Sequence, residues 1–309
     1  VRLRSSVGCL AGVAAAMLLV TACGSSSGDE AAAGTASTPK AGIQVVASTN
    51  VYGDIVKQIA GDKVEVTSII SDPDQDPHSY EANTQTQLSL SKAKVVIENG
   101  GGYDDFMDKM LKSAGNTSAK VLNVVDISGR KAPAGGALNE HVWYDFPSME
   151  KLAAQLATTL SEVDSANGST YSANAAAFTE KVKQLESTEA SVKATSNGAG
   201  AAITEPVPVY VLSACGLVNK TPEKFSEAIE EGTDVPAAVL QETLGLFSSK
   251  QVKLLAYNEQ TSGPETQKVL DAAKANNIAV VPVTETLPSG KDYLSWMTGN
   301  LNAIRSALS

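Results

Sequence analysis

The stretch Tyr171–Thr195 contains neither glycine nor proline, and it does more than any other segment to limit the folds open to this chain. Its apolar residues Phe178, Val182, Leu185 and Val192 are spaced by four, three and seven, while Glu180, Lys181, Lys183 and Glu186 occupy the other faces. That spacing predicts one long amphipathic helix with a single buried stripe. The break Asn197-Gly198-Ala199-Gly200 ends it, because these residues tolerate the left-handed conformation that closes helices. A helix of this length with no internal hinge reads as a rigid connector between whatever lies on either side.

Both sides carry the same alternation. Before the helix, Ile43–Ser48, Val64–Ile70, Lys94–Glu98 and Val121–Val125 have strand composition. Helical spacing covers Val51–Ile59, Tyr103–Leu111 and Ser148–Val163. After it, Ala201–Thr204, Lys253–Tyr257 and Ile278–Thr284 read as strands, and Thr221–Glu230, Pro264–Asn276 and Tyr293–Leu308 as helices. The segment Pro206–Leu212 is ambiguous: its Val/Tyr alternation says strand, but a proline can also open a helix. Strands alternating with helices predict an α/β fold with two lobes and mostly parallel sheets, joined by one long rigid helix. The organisation expected is 43–170 for an N-terminal α/β lobe, 171–196 for the linking helix and 197–309 for a C-terminal α/β lobe.

The beginning of the chain reads differently. Arg2 and Arg4 precede an apolar stretch, Val7–Val20, too short for a comfortable membrane span, which leads to Leu19-Val20-Thr21-Ala22-Cys23. Small residues before a cysteine resemble a bacterial lipoprotein signal, so 1–22 is expected to be a signal peptide and Cys23 the lipidated residue. Residues 23–42, rich in Gly, Ser, Ala and Thr, are expected to be a disordered tether. Beyond residue 22 the acids remain 34 while the bases fall from 24 to 22, for a formal charge of −12, which argues against a nucleic-acid partner. With Cys9 in the signal and Cys23 assigned to lipid, Cys215 stands alone in the apolar run Val209–Leu217. No internal disulfide or cysteine-rich zinc site is then available.

Only two histidines occur, His78 in Asp76-Pro77-His78-Ser79-Tyr80-Glu81 and His141 in Asn139-Glu140-His141-Val142-Trp143-Tyr144-Asp145. Imidazole used so sparingly, and each time beside aromatics and carboxylates, suits metal ligation. In open α/β sheets ligands bind beyond the carboxyl ends of strands, and His78, Glu205 and Glu285 each follow a predicted strand. Asp76, Glu81, Glu140 and Asp145 stand close enough in sequence to orient the rings. Two nitrogens and two carboxylates from four distant segments suit a divalent ion, Zn²⁺ or Mn²⁺, held where two lobes meet. Glu259 and Asp292 are substitutes for Glu285.

These motifs resemble the cluster 9 (zinc and manganese) substrate-binding lipoproteins of metal ABC transporters, from about Gln44 to the C-terminus. The resemblance rests on Asp-Pro-His-Ser-Tyr-Glu, the Val95–Gly100 strand with its Asn-Gly ending, His141 before Val-Trp-Tyr-Asp, the long helix, and Glu285-Thr286-Leu287-Pro288. It implies His78 and His141 as first-lobe ligands, Glu205 (five residues before Tyr210) as the third, and Glu285 as the fourth. It also implies a helix over Pro206–Gly216, against the strand reading. Glu285 stands where the family usually has Asp, and no His-rich loop is present, so zinc and manganese both stay open.

The function implied is capture of a divalent metal outside the cytoplasm by a monomer anchored to the cell membrane by lipid, for delivery to an ABC permease, with no enzymatic step. A small-solute binding protein or adhesin on the same scaffold is the alternative, favoured if an organic mass were found bound. An exported metallohydrolase is the other, though His-Glu-x-x-His does not occur and the one Gly-x-Ser-x-Gly match, Gly24-Ser25-Ser26-Ser27-Gly28, falls in the expected tether and not at a strand-to-helix elbow.

Overall fold

The computed structural model describes residues 42–72, 75, 80 and 83–309. The signal 1–22, Cys23, the tether apart from Gly42, and the first-half residues Asp76, His78 and Glu81 lie outside the described residues. No described helix is long and apolar enough to cross a membrane.

The first half runs β1 (Ile43–Thr49), α1 (Asn50–Ala60), β2 (Val64–Ile70), α2 (Thr84–Lys92), β3 (Val95–Glu98), α3 (Phe106–Ser113), β4 (Lys120–Asn123), α4 (Val124–Ser128) and α5 (Phe146–Val163). Then comes the long helix α6 (Gly168–Ser196). The second half runs β5 (Gly200–Ile203), α7 (Val209–Ala214), β6 (Val218–Asn219), α8 (Glu223–Glu230), α9 (Ala237–Ser248), β7 (Leu254–Asn258), α10 (Pro264–Ala275), β8 (Ala279–Val283) and α11 (Tyr293–Ala307).

Among the described residues the strands form two four-stranded sheets, ordered β2-β1-β3-β4 and β6-β5-β7-β8, with parallel pairings throughout. The second order repeats the first. In each sheet the chain reverses its direction of progress between the two central strands, which opens a crevice at their carboxyl ends. Residues of β1, β3, β5 and β7 are almost all buried, as expected of strands covered by helices on both faces.

Helix α6 buries Tyr171, Ala175, Phe178, Val182, Leu185, Glu189, Val192 and Ser196, an alternation of fours and threes. That stripe packs against α5 and α1 of the first half and against α11 and α7 of the second. Each fully buried Phe, Val or Leu contributes about 1.5–3 kcal/mol. The gap of seven between Leu185 and Val192 is occupied by Glu189, whose carboxyl is pushed up to about 8 by burial, with Glu186 and Asp145 adding repulsion. One continuous apolar core runs through both halves by way of α6, so the helix is a packed spine for both.

Hydrogen bonds tie the halves directly. Asn50 of α1 donates to Leu287 O (3.0 Å) and accepts from Leu287 N (2.8 Å). Tyr144 donates to Thr284 O (2.8 Å), and Tyr293 to Trp143 O (2.7 Å).

One local expectation needs correction, and the ambiguity over Pro206–Leu212 resolves toward the helix. Val124 and Val125 do not extend β4; they open α4, because the Asn123 side chain accepts from Asp126 N (3.0 Å) and caps a helix there. Pro206–Leu212 is not a strand. Val209 N donates to Pro206 O and Leu212 N to Pro208 O, giving a turn that winds into α7, which is shorter than Pro206–Gly216. Both prolines stand where a helix's first turn needs no N–H. Helices α2 and α9 and the two-residue β6 carried too weak a pattern to be expected.

Candidate metal centre

His141 follows the loop Pro133–Asn139 and is wholly buried. Its ring lies edge-on to Trp143 (centroids 5.1 Å) and to Tyr103 (5.9 Å), an apolar wall that excludes water on those sides. Asn139 sets its protonation geometry. The Asn139 amide Nδ2 donates to Pro206 O of the second half (2.9 Å), so Oδ1 is its acceptor end, and Oδ1 lies 2.8 Å from His141 Nδ1. The neutral imidazole therefore carries its proton on Nδ1 and presents the Nε2 lone pair inward.

The loop has a floor. The turn after β3, Asn99-Gly100-Gly101-Gly102, sits under it: Asn99 Nδ2 donates to Glu140 O (3.0 Å), and the Tyr52 hydroxyl donates to Asn99 Oδ1. Asp104 accepts from Asn99 N (2.6 Å) and Gly100 N (2.8 Å), closing the turn. Gly100 has φ of +76°, and a Cβ there would fall 2.2 Å from Asn123 Nδ2, so only glycine fits.

The second half brings two carboxylates to this ring. Glu205 follows β5 and Glu285 follows β8, and both are almost fully buried. Asn258, the last residue of β7, lies between them at the sheet's reversal point. Its Nδ2 donates both to Glu205 Oε2 and to Glu285 Oε1 (3.0 Å). Thr261 also donates to Glu205 Oε2, and the Tyr103 hydroxyl lies close to Glu285. Burial and the nearby Glu285 push the Tyr103 hydroxyl well above its ordinary range, so it stays a donor. Glu285 Oε2 stands 3.9 Å from His141 Nε2.

Of the sequence-predicted residues, Glu285 thus lies beside His141 and shares Asn258 with Glu205, while His78 lies outside the described residues. Two of its neighbours in sequence, Gln75 and Tyr80, are described. Gln75 O accepts from Gln260 Nε2 (3.1 Å), and Gln260 Oε1 accepts from Glu285 N. Tyr80, two residues after His78, packs on Phe106 with ring centroids 4.5 Å apart.

The substitutes for Glu285 are placed elsewhere. Glu259 is exposed, and Asp292 caps α11 by accepting from Ser295 N (2.7 Å). Asp145 does not orient the imidazole: it forms a two-point pair with Arg130 (2.6 and 3.0 Å), and Arg130 in turn lies over Tyr210. Tyr210 donates to Asn139 O (2.7 Å), so Asp145 steadies the loop at one remove. Cys215 is a buried thiol pushed up to about 12 by burial, which suits structure and not ligation.

Sequence reasoning missed Glu230, the last residue of α8, whose Oε1 lies 3.5 Å from His141 Nε2. Glu140, His141 and Glu230 offer ligand atoms within 4.8 Å of one another. The signal was present in the pair Glu230-Glu231. Negative charge at a helix C-terminus opposes the macrodipole and needs some other reason to be there. Asn258 and Thr261 carried no such signal.

The profile of the family described as zinc-uptake complex component A, periplasmic, matches residues 45–307. The metal ABC transporter substrate-binding lipoprotein FimA of Streptococcus parasanguinis is 26% identical over 295 residues, covering 89% of this chain and 92% of its own. The manganese ABC transporter substrate-binding lipoprotein PsaA of Streptococcus pneumoniae is 25% identical over 292 residues, covering 86% and 89%. Among solved structures, the periplasmic zinc-binding protein TroA of Treponema pallidum superimposes with a TM-score of 0.73 at 19% identity, over 87% of this chain and 99% of that one. At that identity the likeness is one of fold.

Proposed function

The chain belongs to the zinc-uptake complex component A family, and from that premise we propose that it captures a divalent transition metal ion, Zn²⁺ or Mn²⁺, and delivers it to an ABC permease. The observation that carries the reading is the pairing of Glu205 and Glu285 through Asn258 with Glu285 beside His141, whose Nδ1 is committed to Asn139 and whose Nε2 is turned toward Glu285. The ligands proposed are His78, His141, Glu205 and Glu285. Support for His78 comes from Gln75, three residues earlier in the chain, whose carbonyl accepts from the Gln260 that also bonds the Glu285 backbone.

The ion is cargo, so the residues' task is to hold and release it without chemistry. Asn258 and Thr261 fix the plane of Glu205, and Asn258 fixes Glu285, so little ordering remains to be done on binding. Release proceeds by loop movement and a small tilt of the halves, because α6 is packed on both and has no internal hinge.

The rest of the organisation belongs to the same proposal. Residues 1–22 are a lipoprotein signal and Cys23 carries the lipid that anchors the protein outside the cytoplasm. A tether over 23–42 leads to the lobes 43–170 and 197–309, joined by 171–196, and the protein works as a monomer that binds no nucleic acid.

Calorimetric titration of the chelated protein tests the function. Wild type binds one ion with both Zn²⁺ and Mn²⁺ tried, and a His78→Ala, His141→Ala double variant loses binding. Equal binding by wild type and double variant would overturn the site.

A further inference from the structure

We propose that Glu230 is a metal ligand, supplied by α8, and that it biases this site toward Mn²⁺ over Zn²⁺. The inference rests on the metal-capture reading above and extends its donor set. Two donors sharing an ion at ordinary bond lengths of about 2.1 Å stand about 3.0–3.4 Å apart. Glu230 Oε1 is 3.5 Å from His141 Nε2, closer to that spacing than Glu285 Oε2 at 3.9 Å. The Glu230 side chain is only 14% exposed, and its Oε1 is buried.

The position of Glu230 is fixed by its own backbone. Thr233 N donates to Ala228 O (2.8 Å) and Gly232 N to Ile229 O (3.1 Å), with Gly232 at φ of +63°. These are the paired bonds of a Schellman closure, and they hold Glu230 at the helix's last turn facing the His141 loop. A carboxylate there is opposed by the helix dipole, and an ion between it and His141 would reverse that penalty. Beside it lies a cleft of about 750 Å³ lined by Asn139, Glu140, Glu223 and Glu227, an acidic approach to the same point.

Glu230 changes the donor set in kind. With it the proposed donors are the imidazole nitrogens and three carboxylates, Glu230 standing on the His141 side of the set. More hard oxygen donors, and more of them, suit Mn²⁺, whereas Zn²⁺ is content with four mixed ligands.

The test is competitive titration of the full chain with Mn²⁺ and Zn²⁺, comparing wild type with Glu230→Gln, Glu230→Ala, Glu231→Gln and His141→Ala. The Gln variant keeps the side chain's size and removes the charge; Glu231→Gln removes the same charge at the exposed neighbouring position. The inference expects Glu230→Gln to weaken Mn²⁺ by about tenfold or more and Zn²⁺ by much less, Glu230→Ala to do the same, and Glu231→Gln to leave both unchanged. The electron paramagnetic resonance spectrum of bound Mn²⁺ should change in the Glu230 variants and not in Glu231→Gln. Equal losses for both ions, no loss, or the same effect from Glu231→Gln would overturn the assignment. Failure of the underlying reading looks different, since His141→Ala would then bind as wild type does.

Discussion

Asn258→Ala is the most informative single change, because one amide holds two buried carboxylates. Its Nδ2 donates to Glu205 and to Glu285, and its Oδ1 accepts from Gln260 N (3.1 Å). Hydrogen bonds to charged partners contribute about 1.5–3 kcal/mol each, so the pair to the carboxylates amounts to about 3–6 kcal/mol. Water entering the vacated space recovers part of that, which places the expected loss near the lower end, about 3 kcal/mol. The loss should be largest without metal, because in the variant the two carboxylates then face each other with their shared donor gone. Urea unfolding of the chelated protein, with circular dichroism as readout, measures it. Saturating Zn²⁺ or Mn²⁺ should recover part of the difference, while the affinity itself falls by about tenfold or more through loss of orientation. A chelated variant within about 0.5 kcal/mol of wild type would refute the argument, since changes that small are typical of surface positions.

Other perturbations test the neighbouring supports. Gly100→Ala meets both a positive φ and the Asn123 side chain, and should lower the unfolding free energy by about 2 kcal/mol or more and weaken metal binding through the His141 loop. Glu189 binds its proton more tightly folded than unfolded, so its stabilising contribution is complete below about pH 4.5 and is lost as pH rises through about 8. Glu189→Gln should therefore raise the melting temperature at pH 9 and change it little at pH 4; no difference between those two conditions would count against a buried carboxyl. Metal affinity should fall on acidification, because His141 must be neutral to offer Nε2, and affinity unchanged between neutral and acidic buffer would count against it as a ligand. Small-angle scattering should register no large decrease in radius on binding, and a decrease of the kind seen in wide hinge closure would refute the packed-spine account of α6.

The glutamate in the α6 stripe illustrates where sequence patterns stop. Phe178, Val182, Leu185 and Val192 identified the buried face, and position 189, four after Leu185 and three before Val192, falls on it while Glu186 does not; the glutamate's chemistry nonetheless argued for solvent. Periodicity assigns faces by averaging, and a charged residue on the buried face is read as noise until its neighbours are in place. The same limit applied at the site. Glu205 and Glu285 were legible because each ends a strand and matches a family motif, whereas Glu230 ends a helix and Asn258 is one amide among many.

The alternation of strand and helix, the long helix and its stop at Asn197 were determined by the sequence alone, because each depends on neighbours a few residues away. Only the tertiary structure decided which donors meet. Sheet order β6-β5-β7-β8 puts the ends of β5, β7 and β8 side by side, so Glu205, Asn258 and Glu285 become neighbours although 53 residues separate the first two and 27 the last two. Asn139 and Asn50 then bind these ends to the first half. Contacts of that range carry no local periodicity. They come from the burial of one shared core, which is a property of the whole chain.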